Sequence, residues 1–229
     1  MDEDAISVGR NLKVRALGLV DYAVCLDLQR AIHGRVVSGE EADTLLLCTH
    51  PPVITTGSSV KPEHIIAGAH ILSQLNLSPQ PVERGGSVTY HGPEQIIGYP
   101  ILDLRKQRQD VAWYMRSLEE VVIRVLRDFG VTGVRVPGRT GVWLDDTSKI
   151  AFIGVKISRW CTFHGFSLNV LNCSKPFSLI DPCGLGAIRV VSLQESLATV
   201  PSFEEIQDRV AVHFCDVFGY ADQAVERST

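Results

Sequence analysis

VTGVRVPGRTGVWLDDTSKIAFIGVKISRWCTFHGFSLNV, residues 131–170, is the stretch that decides the fold. It breaks into VTGVRV, TGVWLDD, KIAFIGVKIS and CTFHGFSLNV, short runs rich in β-branched and aromatic residues, separated by turn residues. Such runs predict strands. The DDTS turn between Leu144 and Lys149 predicts a hairpin. Immediately upstream the period changes. Val111, Met115, Leu118, Val122, Val125 and Phe129 recur at helical spacing, with Asp110 placed to cap the start and Gly130 to end the helix. Further back, TLLLCTH (44–50) predicts a buried strand running into HPPVITTG, and Leu19, Tyr22, Ala23, Leu26 and Ala31 predict a helix from Leu19 to about Ile32. Downstream, Ser202 and Glu205 have capping-box spacing before a helix through Ile206, Val210, Phe214 and Val217. Helices alternate irregularly with a strand-rich second half, so the expected class is α+β (mixed α/β), not a doubly wound sheet. No repeat or low-complexity linker divides the chain, and residues 1–229 are expected to form a single domain.

Composition excludes several classes. The chain is 45% hydrophobic and 21% charged, ordinary for a globular protein, with a net charge of -4. That balance gives no general pull toward nucleic acid or anionic membrane. No apolar run reaches the roughly 18 residues of a membrane span. The start, MDEDAISVGR, has neither a signal nor a transit pattern. The cysteines at 25, 48, 161, 173, 183 and 215 form no C-x-x-C pair, and reduced, mostly core thiols are expected. The seven histidines do not pair with cysteines at ligand spacing, so no zinc or other metal site is expected.

Four segments carry chemistry. ERGGSVTYHGPEQIIGYP (83–100) pairs Gly85 and Gly86 for close backbone approach or positive φ. Arg84 beside them suits an anion or a carbonyl. No G-K-[ST] follows, so this is not a Walker loop. In TSKIAFIGVKIS (147–158), Lys149 opens an apolar strand; it either reaches solvent or points inward. In CTFHGFSLNV, His164 and Gly165 interrupt a strand, and glycine there suggests close approach to a ligand. In LIDPCGLG (179–186), Cys183 between Pro182 and Gly184 is the best candidate for an exposed thiol, which needs a nearby cation or base to react at neutral pH.

Taken in order, HPPVITTG, RGGSVTYHGP, GYPILDL, TGVW, KIAFIGVKIS, HGFSLNV, DPCG and VVSL resemble the lipoyl(octanoyl) transferase family over most of the chain. The resemblance implies the fold of biotin and lipoate ligases, a mixed sheet with flanking helices and a smaller sheet. It implies transfer of octanoyl from acyl carrier protein to a lysine of lipoyl domains, those of 2-oxoacid dehydrogenases and the glycine cleavage H protein. No ATP and no cofactor are implied, the acyl group arriving on the carrier's phosphopantetheine arm. Cys183 falls on the family's acyl-bearing cysteine and Lys149 on its motif lysine. The acyl-binding stretches fall on Arg84, Gly85, Gly86, Ser87, Val88, Thr89, Tyr90 and His91, on Phe152, Ile153 and Gly154, and on Gly165, Phe166 and Ser167; His164 joins them from its place in the strand. The chain departs from the pattern at Glu94, where glycine is common, and at Ser167, where alanine is frequent.

The expected mechanism has two steps. The Cys183 thiolate takes the acyl group from the carrier thioester, and the acceptor lysine's amine then attacks acyl-Cys183. Lys149 acts as an ammonium that stabilises thiolate or as an amine that accepts protons. The rivals are an ATP-dependent lipoate or biotin ligase, an amidotransferase moving octanoyl between proteins, and a non-catalytic acyl- or carrier-binding module. The expected compartment is the cytoplasm, or mitochondria for a eukaryotic source.

Overall fold

A computed structural model describes residues 10–182, 188–221 and 224–227. The chain enters through β1 (Leu12–Leu19). Leu12, Val14 and Ala16 are buried while Lys13 is exposed and Arg15 half-buried, a period-2 pattern. The helix expected from Leu19 instead begins three residues later, as α1 (Tyr22–Ser38). The reason is a cap: the Asp21 carboxylate accepts the Ala23 N–H at 2.8 Å and the Val24 N–H at 3.3 Å. The helix also outlasts the expected end at Ile32, stopping at Gly39, whose φ is 81°.

Next come β2 (Asp43–Thr49) and β3 (Val53–Thr56). A short helix α2 (Ala69–Gln74) leads to β4 (Gln80–Pro81), β5 (Val88–His91) and β6 (Gln95–Ile101). Then α3 (Val111–Asp128) forms where expected, with Asp110 accepting the Trp113 N–H at 2.9 Å. Its buried stripe is rotated from the expected one: Val111 is exposed, and Tyr114, Leu118, Val121, Val122, Val125 and Leu126 face inward. The strand-rich stretch supplies β7 (Val134–Val136), β8 (Arg139–Trp143), β9 (Ser148–Ser158) and β10 (Cys161–Asn169). Asp145 accepts from the Thr147 and Ser148 N–H groups in the predicted β8–β9 turn. The strand β10 runs through His164 and Gly165 without a break in register. The chain closes with α4 (Ser174–Phe177), β11 (Arg189–Val190), α5 (Leu193–Ser196), α6 (Phe203–Phe218) and β12 (Glu226–Arg227). Ser202 caps α6 by accepting the Glu205 N–H at 3.1 Å.

The large sheet has the order β12-β1-β2-β6-β10-β9-β8-β7, with β11 on β9. β1 runs parallel to β2 and β12, and β2 through β7 pair antiparallel along that order. A smaller sheet, β4-β3-β5, stands beside it. Both faces of the large sheet are covered. Leu45 and Leu47 join the core under α3 and α6, while Leu46 and Cys48 join the core under α1. Two-sided burial explains why β2 reads as a continuous apolar run. Each fully buried leucine there contributes about 1.5–3 kcal/mol. A third core, around Phe152, Phe177 and Tyr90, holds the small sheet against the large one.

Candidate active site

A cavity of about 420 Å³ opens between β9 and β10 of the large sheet and the β5 edge of the small one. Lys149, the second residue of β9, lines it and is only 4% exposed. Its Nζ lies 4.6 Å from the Phe152 ring centroid and 5.0 Å from that of Trp143, so an ammonium there is held between two aromatic faces. Gly141 makes room for it. A Cβ at Gly141 would lie 2.7 Å from Lys149 Cε and 2.4 Å from the Ala151 carbonyl oxygen, and its φ of 110° favours glycine. The Gly141 N–H donates to Glu119 Oε1 at 3.1 Å. Glu119, buried on α3, is held in turn by Arg116 at 2.6 Å and Arg135 at 3.2 Å.

Arg84 lines the cavity, but its guanidinium serves mainly as a pin. It donates to the Thr55 carbonyl at 2.8 Å, to Thr55 Oγ1 at 2.9 Å and to the Gly85 carbonyl at 3.1 Å. Of the two roles open to it in the sequence, holding carbonyls is the one displayed. Gly86 has a φ of 83°, and the Gly85 N–H donates to the Val155 carbonyl at 2.9 Å, laying the glycine loop on β9. Ser87, Val88, Thr89 and His91 also line the cavity. Tyr90 does not; it packs edge-on against Phe177 in the third core, because neighbouring strand residues face opposite ways. The Tyr90 hydroxyl donates to Glu94 Oε2 at 3.5 Å, placing Glu94 on that side too.

Phe152, Ile153, Gly154, His164, Gly165, Phe166 and Ser167 complete the wall. Gly165 has a structural reason beyond the cavity: a Cβ there would meet the Gly98 carbonyl oxygen at 2.1 Å. Close approach at Gly165 therefore includes β6, a neighbouring strand, while the residue also lines the cavity. His164 has a φ of 55°, and burial pushes its imidazole down to about 4. Burial likewise holds His91 well below the ordinary histidine value. His91 Nδ1 meets Gln95 Oε1 at 3.2 Å, Gln95 donates to Asn169 at 2.8 Å, and Asn169 donates to the Val191 carbonyl at 2.9 Å. The Val191 N–H returns to the Lys149 carbonyl at 3.0 Å, so one chain of bonds links the two sides of the cavity.

Cys183 lies outside the described residues. Its neighbour Pro182 lines the cavity. The other five cysteines are buried. Desolvation pushes Cys161 up to about 11 and Cys173 up to about 12, which makes both poor nucleophiles at neutral pH.

Residues 21–215 match the lipoyl protein ligase A/B catalytic domain. The chain belongs to that family. An octanoyltransferase of Solibacter usitatus is 44% identical over 211 residues, 92% of this chain and 94% of that one. An octanoyltransferase of Gloeobacter violaceus is 44% identical over 213 residues, covering 93% and 92%. Lipoate-protein ligase A bound with ATP shares the fold at a TM-score of 0.76 and 14% identity, over 97% of this chain and 90% of that one. The biotin protein ligase of Aquifex aeolicus is a more distant likeness, at a TM-score of 0.52 and 10% identity, over 92% and 70%. The family's mixed sheet with a smaller companion sheet is the architecture described above.

In this family member the cavity is also lined by residues outside the expected set: Tyr22, Ser59, Lys61, His64, Tyr99, Gly138, Arg139 and Thr140. Tyr22 fits the helical spacing of its segment and Tyr99 lies inside the 83–100 segment without being marked there, and their convergence has no one-dimensional signal. His64 is more telling. The Lys61 N–H donates to its Nδ1 at 3.2 Å, which leaves the proton of a neutral ring on Nε2. Ser87 also bonds that Nδ1, tying the glycine loop to the 61–64 turn.

Proposed function

We propose that this protein transfers an octanoyl group from acyl carrier protein to a lysine of lipoyl domains, by way of a thioester on Cys183. The observation that carries the reading is the placement of buried Lys149 on a cavity whose wall also includes Pro182, the covalent neighbour of Cys183. In the first step the Cys183 sulfur bonds to the acyl carbon and the carrier's C–S bond breaks; the departing phosphopantetheine sulfur takes the proton. In the second, the acceptor amine bonds to that carbon, the C–S bond to Cys183 breaks, and the amine's proton returns to the thiolate through Lys149. Thioester exchange is nearly isoenergetic and amide formation runs downhill, so no nucleotide enters. Phe152, Ile153 and Phe166 offer apolar surface to the chain, at about 0.8 kcal/mol per buried CH₂. Lys61 and Arg139 line the cavity and suit an acidic carrier.

The ligase-type likenesses speak for the fold alone, whereas the relatives at 44% identity are octanoyltransferases. The fitting acceptors are the lipoyl domains of 2-oxoacid dehydrogenases and the H protein, and the fitting compartment is the cytoplasm. Among the described residues no helix is long and apolar enough to cross a membrane.

Intact-mass analysis after incubation with octanoyl carrier protein tests the first step. One octanoyl adduct is expected on the native protein and none on Cys183→Ala; an adduct that persists in that variant sinks the nucleophile assignment. Single-turnover transfer to an apo lipoyl domain tests the second. It is expected to run equally with and without ATP, and a requirement for ATP overturns the reading in favour of a ligase.

A further inference from the structure

Cys25 on α1, Cys48 on β2 and His50 just beyond it converge beneath the cavity floor, and all three are fully buried. Their two sulfurs and a histidine nitrogen lie within 4.8 Å of one another. We propose that this trio is a binding site for a soft divalent cation, zinc above all, that staples α1 to β2.

Three observations support it. First, the histidine is already set as a ligand. His50 Nδ1 lies 2.7 Å from the Val20 carbonyl, which only accepts, so the proton sits on Nδ1 and the Nε2 lone pair faces inward. A backbone carbonyl holding one ring nitrogen is the arrangement that orients metal-bound imidazoles. Second, the spacing suits a tetrahedral ion. Cys48 Sγ and His50 Nε2 are 3.6 Å apart. Bonds of about 2.3 Å to sulfur and about 2.0 Å to nitrogen place such a pair roughly 3.5 Å apart around zinc. Third, the charge balances. A dication and two thiolates sum to zero, which suits a fully buried position, and two thiols with an imidazole select zinc over magnesium or calcium. Gln29 Nε2 donates to Cys25 Sγ at 3.9 Å, a contact that survives conversion of the thiol to thiolate.

Loading releases one proton from each thiol to solvent and forms two S–metal bonds and one N–metal bond. It also takes the Nε2 lone pair from the Tyr99 hydroxyl, which lies 2.8 Å away and borders the cavity. Tyr99 is then left to fill the fourth position or to turn toward the cavity. The proposal stands apart from the acyl-transfer reading, since none of its three ligands carries the acyl group.

The test loads full-length protein with cobalt(II) or zinc(II), both by titration and by growth in supplemented medium. Expected are one tightly held ion per chain by elemental analysis after gel filtration and, for cobalt, the thiolate-to-metal charge-transfer band. The band is expected to be lost in Cys25→Ser, Cys48→Ser and His50→Gln and kept in Cys183→Ser. No retained ion, or a band that survives the first three variants and vanishes in Cys183→Ser, overturns the proposal. Should the serine variants misfold, thiol alkylation of the native chain decides. Zinc is expected to slow labelling of Cys25 and Cys48 while leaving Cys161 and Cys173 unchanged, and equal labelling with and without zinc refutes the site.

Discussion

Lys149 and Gly141 belong together in space, eight positions apart across a hairpin. Gly141→Ala drives a methyl into the Lys149 stem and the Ala151 carbonyl, at a φ that L side chains resist. The expected cost is about 1–3 kcal/mol of stability, read as a lowered denaturant midpoint, with slower single-turnover transfer at full saturation. Lys149→Ala is expected to slow both acylation and transfer by about 10²–10⁴-fold if it handles protons; unchanged single-turnover rates in a folded variant reject that role. His164 gives a pH prediction. Its folded-state value of about 4 lies below the unfolded value of about 6.5. Above pH 6.5 the ring is neutral in both states and stability is full. As pH falls toward 4 the unfolded chain takes the proton first, so stability drops, by on the order of 3 kcal/mol, and then levels off. Denaturation at stepped pH is expected to show a shallower acid slope in His164→Asn, which keeps a residue tolerant of the left-handed backbone. An unchanged slope assigns the loss elsewhere. His91 and His50, also held down by burial, add to the same loss.

At the scale of elements, caps decide boundaries. Asp21→Ala removes acceptors for two N–H groups at the start of α1, and a loss of about 1 kcal/mol is expected in equilibrium unfolding. That helix shows what was legible and what was not. Leu19 fits helical spacing with Tyr22, Ala23 and Leu26, yet it belongs to β1, whose own alternation through Leu12, Val14 and Ala16 is plain once Asp21 is taken as the boundary. The helix α3 and the hairpin at DDTS were readable because periodicity and turn chemistry are local. The rotated face of α3 was not, since Val111 and Tyr114 both fit an apolar stripe and only the packing of α6 and the sheet selects between them. In β10, Gly165 is legible as a close approach, but its packing on the Gly98 carbonyl of β6 is not, because a strand's partner is not adjacent in sequence.

At the scale of the whole molecule, the cavity exists because two sheets meet. Phe177 stacks on Phe152 with ring centroids 4.8 Å apart and packs on Tyr90, joining the small sheet to the wall that carries Lys149. Phe177→Ala is expected to cost about 3–5 kcal/mol, with transfer slowed even where the protein stays folded. Thermal unfolding together with rate measurement at a permissive temperature checks both effects. The class of fold, the main helices and strands, and the motif order that places this chain among the octanoyltransferases follow from the residues in order, because periodicity, caps and motifs are written along the chain. Packing in three dimensions is what turns Lys149 inward between two rings, makes Arg84 pin a loop, turns Tyr90 away, and brings Cys25, Cys48 and His50 together. Each of those facts depends on which residues distant in sequence share a surface, and that is set by sheet order and core packing.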